Sequence, residues 1–429
     1  MRGESPSGCD VLFKRKSGSA VNILFLTDNF PPETNAPASR TYEHTKRWAA
    51  KGHHVTVVTG APNFPGGKVF AGYRNRLWQR EEMDGVHVVR VWTYISANEG
   101  FLRRTLDYLS FMFSAVLAGA ILRRPDVIVA TSPQFFTACA GYLVSKIRRR
   151  PYVFELRDLW PDSILAVGAM RESALVRILR KLEYFLYRKA ARIVSVTHSF
   201  KKVLTANGIP AEQITVVPNG ADLDAYQPGE RPQALAERLG LGGKFVAAYV
   251  GTVGMAHGLS TLLAAAERLR TRDDICIVVV GTGAEKERLA AEAARRNLIN
   301  LLFVGGVDKM EVREYWRLCD VALVLLKDQP LFNHVIPSKM FEAMGTERAI
   351  ILGVRGESKN ILEEAKAGVA IQPEDVDSLV QTIVEMADNP ALCREMGLSG
   401  RHFVEKNYNR DNLALEILGA LEQVNLGWK

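Results

Sequence analysis

The chain reads as an α/β protein of two doubly wound, parallel-sheet domains, and three observations predict it. Its 429 residues exceed what one hydrophobic core ordinarily covers. Short runs apolar on both faces alternate with helical stretches, the pattern of strands covered on both sides by helices. That alternation occurs twice, with a turn signal, Val216-Val217-Pro218-Asn219-Gly220, between the two series.

In the first series, Asn22 to Thr27 is a strand that meets Asp28, Asn29 and Phe30-Pro31-Pro32, and a helix carrying Arg40 to Lys51 follows. Further strands are predicted at His54 to Thr59, Val86 to Val91, Val127 to Thr131, Tyr152 to Glu155 and Ile193 to Thr197. In the second series, Phe245 to Val250 runs into Gly251, Ile275 to Val280 into Gly281, and Leu301 to Val304 into Gly305 and Gly306, while Val321 to Leu325 ends at Lys327. Glycine at a strand end allows close backbone approach, and functional loops are expected at strand C-termini. The division predicted is 1–20 as a disordered or misassigned extension without the apolar core of a signal peptide, 21–217 and 218–400 as the two domains, and 401–429 as a helical region packing back on the first.

Composition narrows the function. A hydrophobic fraction of 47% indicates a folded chain. Five scattered cysteines, Cys9, Cys139, Cys276, Cys319 and Cys393, lack metal-ligand spacing and an even count, which reads as a reducing compartment with no disulfide frame and no zinc site. Residues 1–217 hold 31 Lys plus Arg against 17 Asp plus Glu, and residues 218–429 hold 24 against 30. The first half therefore wants an anionic partner. With no aromatic-interleaved basic run or recognition helix, nucleic acid is excluded, and an anionic membrane surface fits. Leu109 to Leu122 is an apolar run bracketed by Arg103, Arg104, Arg123 and Arg124; a buried crossover helix, a surface-inserted helix and a span all fit it, although a span needs about 20 apolar residues. Ser173 to Arg192 is a basic amphipathic helix, either solvated over a packed face or facing lipid.

The densest chemistry lies at His334-Val335-Ile336-Pro337-Ser338-Lys339-Met340-Phe341-Glu342. Pro337 opens a short apolar helix whose first amides suit a phosphate, Lys339 adds a positive charge, and Glu342 can accept two hydrogen bonds from a ribose diol. An ordinary helix start with a solvated carboxylate fits the same residues. Asp222-Leu223-Asp224 has the Asp-x-Asp form of a metal site but follows the linker turn directly, and it is not assigned to metal. Gly281-Thr282-Gly283 lacks the third glycine and the distal acid of a dinucleotide fold, so a dehydrogenase is excluded.

In this order, NILFLTDNFPPE, VVPNGADLDAYQP, YVGTVGMAHGL, VVVGTG, FVGGV and PSKMFEAM resemble a family 4 glycosyltransferase with the GT-B fold, two Rossmann-like domains facing a cleft. The resemblance implies an acceptor-binding first domain, a second domain that binds a nucleotide-sugar, transfer with retention, and neither metal nor cofactor. Glu342 matches the second glutamate of the family's paired motif; where the first would stand, eight positions earlier, this chain has His334. The family's Arg and Lys on the first glycine loop of the second domain are absent from Gly251 to Gly258, and Lys339 is the candidate to supply the charge. On this basis the donor candidates are Gly251, Gly254, His257, Gly281, Gly283, Val307, Pro337, Ser338, Lys339 and Glu342. The catalytic candidates are Arg157, Asp158, His334 and Lys339, and those on the acceptor side are Asn35, Ser39 and Arg40. Arg157 and Asp158 fit equally an internal ion pair capping their loop.

Arg157-Asp158-Leu159-Trp160-Pro161, Ala256-His257-Gly258 and Pro337-Ser338-Lys339 are similar to a bacterial subgroup that builds O-antigen, capsule or exopolysaccharide repeats on lipid carriers, including N-acetyl-fucosamine-type transferases. The resemblance implies a UDP-sugar donor and an undecaprenyl-diphosphate-linked saccharide as acceptor. It also implies a peripheral position on the cytoplasmic face of the inner membrane, with a hydrophobic insertion at 105–122 as one option. Two other readings remain open: a nucleotide-sugar epimerase or hydrolase of the same fold, which would act without an acceptor, and a non-catalytic scaffold of a polysaccharide assembly complex, which would bind donor without turnover.

Overall fold

The computed structural model describes residues 20–64, 66–96, 101–166, 168 and 171–428. The expectation for residues 1–20 falls, apart from Ala20, outside them.

Eight strands form the first sheet: β1 (Asn22–Leu26), β2 (His54–Thr59), β3 (Trp78–Met83), β4 (Val86–Val91), β5 (Val127–Thr131), β6 (Tyr152–Leu156), β7 (Arg192–Ser195) and β8 (Ile214–Val216). Their order is β3-β4-β2-β1-β5-β6-β7-β8, parallel except for the antiparallel β3–β4 edge. Six strands form the second: β9 (Phe245–Val250), β10 (Ile275–Val280), β11 (Leu301–Gly305), β12 (Val321–Leu325), β13 (Ala349–Gly353) and β14 (Gly368–Ala370). They run in the order β11-β10-β9-β12-β13-β14, all parallel. Strand order reverses at β1/β5 and at β9/β12, the positions where open α/β sheets leave a crevice for ligands.

Every residue of β5, β10, β12 and β13 is buried, as strands covered on both faces require. β3 (WQREEM) differs. Its residues are half-buried or exposed in alternation, and its charges suit an unpaired edge. Four helices of the first domain start on side-chain caps, with Asn35, Gln134, Ser173 and Thr197 each accepting an amide of the first turn.

One face of the first sheet packs on helices Phe101–Ile121, Phe135–Arg148 and Ala174–Lys189. In the first of these, Phe111, Ala115 and Ala118 are buried, and a Cβ on Gly119 would lie 2.7 Å from Val144, so the helix pair meets backbone to side chain. The run Leu109 to Leu122 is thus a crossover helix on one side. No helix among the described residues is long and apolar enough to cross a membrane, which removes the spanning reading. The other sheet face is covered by helix Ala36–Ala50 and by the last helix, Arg410–Gly427. Leu413, Ile417, Leu421 and Val424 of that last helix pack among Ile23, Phe25, Val55 and Val57, and the Trp48 indole donates to the Ala414 carbonyl at 2.8 Å.

The chain crosses between domains twice, and the crossings pair. The Ala221 amide donates to the Tyr408 carbonyl at 3.1 Å, and the Arg410 amide donates to the Ala221 carbonyl at 3.0 Å. A Cβ on Gly220 would sit 2.2 Å from the Tyr408 carbonyl oxygen; only glycine allows that approach.

Candidate functional site

At the C-terminal ends of β9 and β10 two glycine loops are laced together. Gly251 donates to the Val280 carbonyl at 2.9 Å, Val253 to Thr282 at 2.8 Å, and Glu285 to Val253 at 3.0 Å. A Cβ on Gly281 would meet the Gly251 carbonyl oxygen at 1.9 Å, and one on Gly283 the Val253 carbonyl oxygen at 2.3 Å. Both glycines sit at positive φ, 142° and 154°. Their requirement is therefore set by the neighbouring loop, whatever else approaches them. Gly254 differs, since a Cβ there would find only ordinary contacts at 3.5 Å. Val307, half-buried after β11, packs against the hydrophobic core of the second domain.

Lys339 reaches this platform. Its Nζ lies 3.5 Å from the centroid of the Tyr249 ring and 2.9 Å from where a Gly251 Cβ would be; it is buried with no hydrogen-bond acceptor among the described residues. Burial pulls its pKa down to about 7, with Glu342 opposing. His257 folds back so that Nδ1 lies 3.3 Å from both the amide and the carbonyl of Gly254. Burial, then Lys339, push its pKa to about 3, so its ring is neutral. Glu342 is held by Trp316, whose Nε1 donates to Oε2 at 3.3 Å, and by the Tyr226 hydroxyl.

The helix itself corrects the sequence reading. It runs Lys339–Gly345, seven residues, and does not start at Pro337. Met340 and Phe341 already donate to the Pro337 and Ser338 carbonyls at 3.1 and 3.0 Å, so the first turn closes on itself rather than offering a run of amides. His334 ends a 3-10 turn, Pro330–His334, whose neighbours Leu331 and Val335 pack against the core of the first domain. It therefore lies at the seam between the domains.

On the opposite side Arg40 is not an acceptor-facing cation. It is 4% exposed; its Nε donates to Glu155 Oε1 at 2.9 Å, and its other nitrogens to the Val217 and Pro218 carbonyls and Asn219 Oδ1 at 2.9–3.1 Å. Arg40 thus binds its helix to the interdomain linker. Asn35 caps the same helix and donates to Asn29 at 2.6 Å, and Ser39 is half-buried one turn on. Arg157 and Asp158 do not form the ion pair considered. Their amides both donate to Ser132 Oγ, tying the loop after β6 to that after β5. The Asp158 carboxylate accepts from Ser163 and the Leu159 amide, and burial pushes its pKa to about 6. The Arg157 guanidinium has Nε and one terminal nitrogen buried without partners among the described residues, and burial lowers its pKa to about 10, against the pull of Glu155.

Sequence reasoning missed an acidic group at the end of β1. Asp28 is raised well above the carboxylate range by desolvation, then by Asp107 and Glu33, with Arg104 opposing; burial brings Asp107 to about 6. An acid kept neutral can donate to a sugar hydroxyl. Its one signal was position, directly after the first strand. Asp222, by contrast, faces Arg47 and Lys46 at 3.6 and 3.9 Å, and no group of three or more metal-ligating side chains occurs among the described residues.

The comparisons agree with this architecture. Residues 35–220 match a glycosyl transferase 4-like domain and residues 233–403 the glycosyl transferases group 1 family. The Escherichia coli (strain K12) protein assigned to colanic acid biosynthesis as glycosyl transferase WcaI is 25% identical over 93% of this chain and 99% of its own length. Among solved structures, a sucrose-phosphate synthase of Thermosynechococcus elongatus superposes with a TM-score of 0.78 at 17% identity, covering 94% of this chain and 99% of its own. Anabaena HepE, solved with UDP and glucose, gives 0.69 at 16% identity, covering 94% and 99%. With both domain matches falling in order on a GT-B frame, the chain belongs to the family 4, group 1 type glycosyltransferases.

Proposed function

We propose that this protein moves a sugar, of N-acetylhexosamine type, from a UDP-sugar to an undecaprenyl-diphosphate-linked saccharide in the synthesis of a bacterial cell-surface polysaccharide, with retention and without a metal ion. The observation that carries the donor half is Lys339: a buried amine without an acceptor, set between Tyr249 and Gly251, with Glu342 three residues on as the ribose acceptor. The cleaved bond leaves charge on the β-phosphate, and preorganised cations and dipoles meet it. Lys339 does so from the second domain and Arg157, with its unpartnered nitrogens, from the first. The acceptor hydroxyl attacks on the face the phosphate leaves, and a phosphate oxygen takes its proton. HepE, solved with UDP, and WcaI, assigned to colanic acid synthesis, support the donor and the pathway class.

Peripheral attachment at the cytoplasmic face of the inner membrane belongs to this reading. On helix Phe101–Ile121 the face opposite the core carries Phe113, Leu117 and Ile121, exposed by 63, 68 and 72%, and helix Ala174–Lys189 adds Ile178 at 61%. Arg123, Arg124, Arg177 and Lys181 flank them, so apolar insertion and attraction to anionic lipid act on one surface.

The test is transfer from UDP-N-acetylglucosamine and a panel of UDP-sugars to undecaprenyl-diphosphate-linked saccharides, with EDTA present. Lipid-linked product is expected. Free sugar or an epimer formed without lipid would select the hydrolase or epimerase, and binding without turnover on any acceptor would select the scaffold. Turnover lost in EDTA and restored by Mg²⁺ or Mn²⁺ would return attention to Asp222 and Asp224.

A further inference from the structure

Lys339 is packed in a way that a permanent cation would not be. Four groups face its Nζ: the Tyr249 ring from β9, the backbone of Gly251 just beyond it, His257 from the 3-10 turn Met255–His257, and Glu342 on its own helix. None takes a hydrogen bond from it. The Tyr249 hydroxyl points away and donates to the Thr252 carbonyl at 2.6 Å. His257 turns Nδ1 to Gly254. Glu342 is engaged by Trp316 and Tyr226. A buried ammonium with no acceptor carries a desolvation cost that the neutral amine avoids, and an aromatic face offsets only part of it. The enclosure is also fitted: a Cβ at position 251 would press on Nζ at 2.9 Å.

We infer that donor binding is coupled to protonation of Lys339: above neutral pH the ligand-free site holds the amine largely neutral, and the arriving diphosphate draws a proton from solvent onto it. This rests on the donor site proposed above and adds how that site is regulated. The displaced pKa of about 7 agrees with the geometry, because a diphosphate beside Nζ restores the missing counter-charge and moves the amine back toward its ordinary range. Of the two facing ring groups, neither can take this part, and uptake by Glu342 would persist when Lys339 is replaced. His257 stays neutral throughout with its pKa near 3, and Tyr249 is held well above its usual value by burial. By linkage, donor affinity is greatest below pH 7 and falls up to tenfold per pH unit above it, until the bound amine itself titrates.

The experiment is calorimetric titration of the full chain with UDP-N-acetylglucosamine, whose diphosphate neither gains nor loses a proton near neutrality, in phosphate and in Tris at about pH 8. Heats that differ between the buffers, giving uptake approaching one proton per molecule bound and declining below about pH 7, are expected. Lys339→Arg should bind with no buffer dependence, because guanidinium is always charged. Lys339→Met should bind about ten- to a hundredfold more weakly, as loss of a charged hydrogen bond does, also without uptake. Binding with equal heats in both buffers would overturn the inference while leaving the donor site in place, as would uptake that persists in both variants. No binding of this nucleotide-sugar or of UDP would overturn the donor reading itself.

Discussion

Replacing Arg40 by Met separates a linker clamp from an acceptor contact. The guanidinium and Glu155 are each about 4% exposed in their side chains and 2.9 Å apart, so removing the cation leaves a buried carboxylate with Arg157 and the Thr131 hydroxyl as its remaining partners. Breaking one partner of a buried pair costs about 3–5 kcal/mol, and three linker acceptors lose their donors with it. The pH dependence follows from Glu155, whose pKa burial raises but Arg40 and Arg157 bring below its ordinary value. A depressed folded-state pKa stabilises above the unfolded value and loses that contribution as pH falls through the folded one. The deficit of Arg40→Met in urea unfolding should therefore be largest near neutrality and shrink toward about pH 4, as both states protonate. Arg40→Met combined with Glu155→Gln should recover much of the loss. Wild-type stability together with a raised KM for the acceptor would refute the clamp and restore the acceptor role.

Three further outcomes are expected. Glu342→Ala should weaken UDP binding by about 1.5–3 kcal/mol, as for hydrogen bonds to a charged group; unchanged affinity in a UDP titration would remove Glu342 from the site. Gly283→Ala forces a Cβ to 2.3 Å from the Val253 carbonyl, so both the melting temperature and the UDP affinity should drop, whereas a wild-type melting temperature would show that the two loops part freely. On anionic vesicles, Arg177, Lys181 and Arg188 changed together to Gln should reduce flotation and leave UDP-sugar affinity intact, each charge contributing roughly 1 kcal/mol. Arg180 is left in place because Asp162 and Glu172 already neutralise it. Equal flotation with neutral and anionic lipid would contradict the electrostatic part.

Strands apolar over most of their length, such as β5, β10 and β12, were legible, because burial on two faces leaves few polar positions to blur the run; β13, as apolar and as buried, was missed. Trp78–Met83 was not, since an antiparallel edge strand carries charge by necessity, and β8 and β14, three residues each, are too short to show a period. At the site, Lys339 and Glu342 were found because they are neighbours in sequence. Arg40 was misplaced because its partner Glu155 lies 115 residues away and the linker 177 to 179. The Asp28, Glu33 and Asp107 group joins the end of β1 to helix Phe101–Ile121, which lies between β4 and β5, and the need for Gly281 comes from Gly251. Such contacts have no local signature.

The last helix closes the first sheet, and that has a consequence during synthesis. The face of β1 and β2 that carries Ile23, Phe25, Val55 and Val57 stays partly open until Leu413 to Val424 have been made. About 200 residues separate β8 from that helix, so at roughly 5–20 residues per second the nascent chain waits on the order of 10–40 s. During that interval the second domain can fold on the ribosome ahead of the first, and the exposed sheet face is a binding surface for chaperones. A chain ending before residue 410 would keep both donor loops and still present that face permanently, so truncated products should aggregate or be degraded even though their nucleotide-binding half is whole.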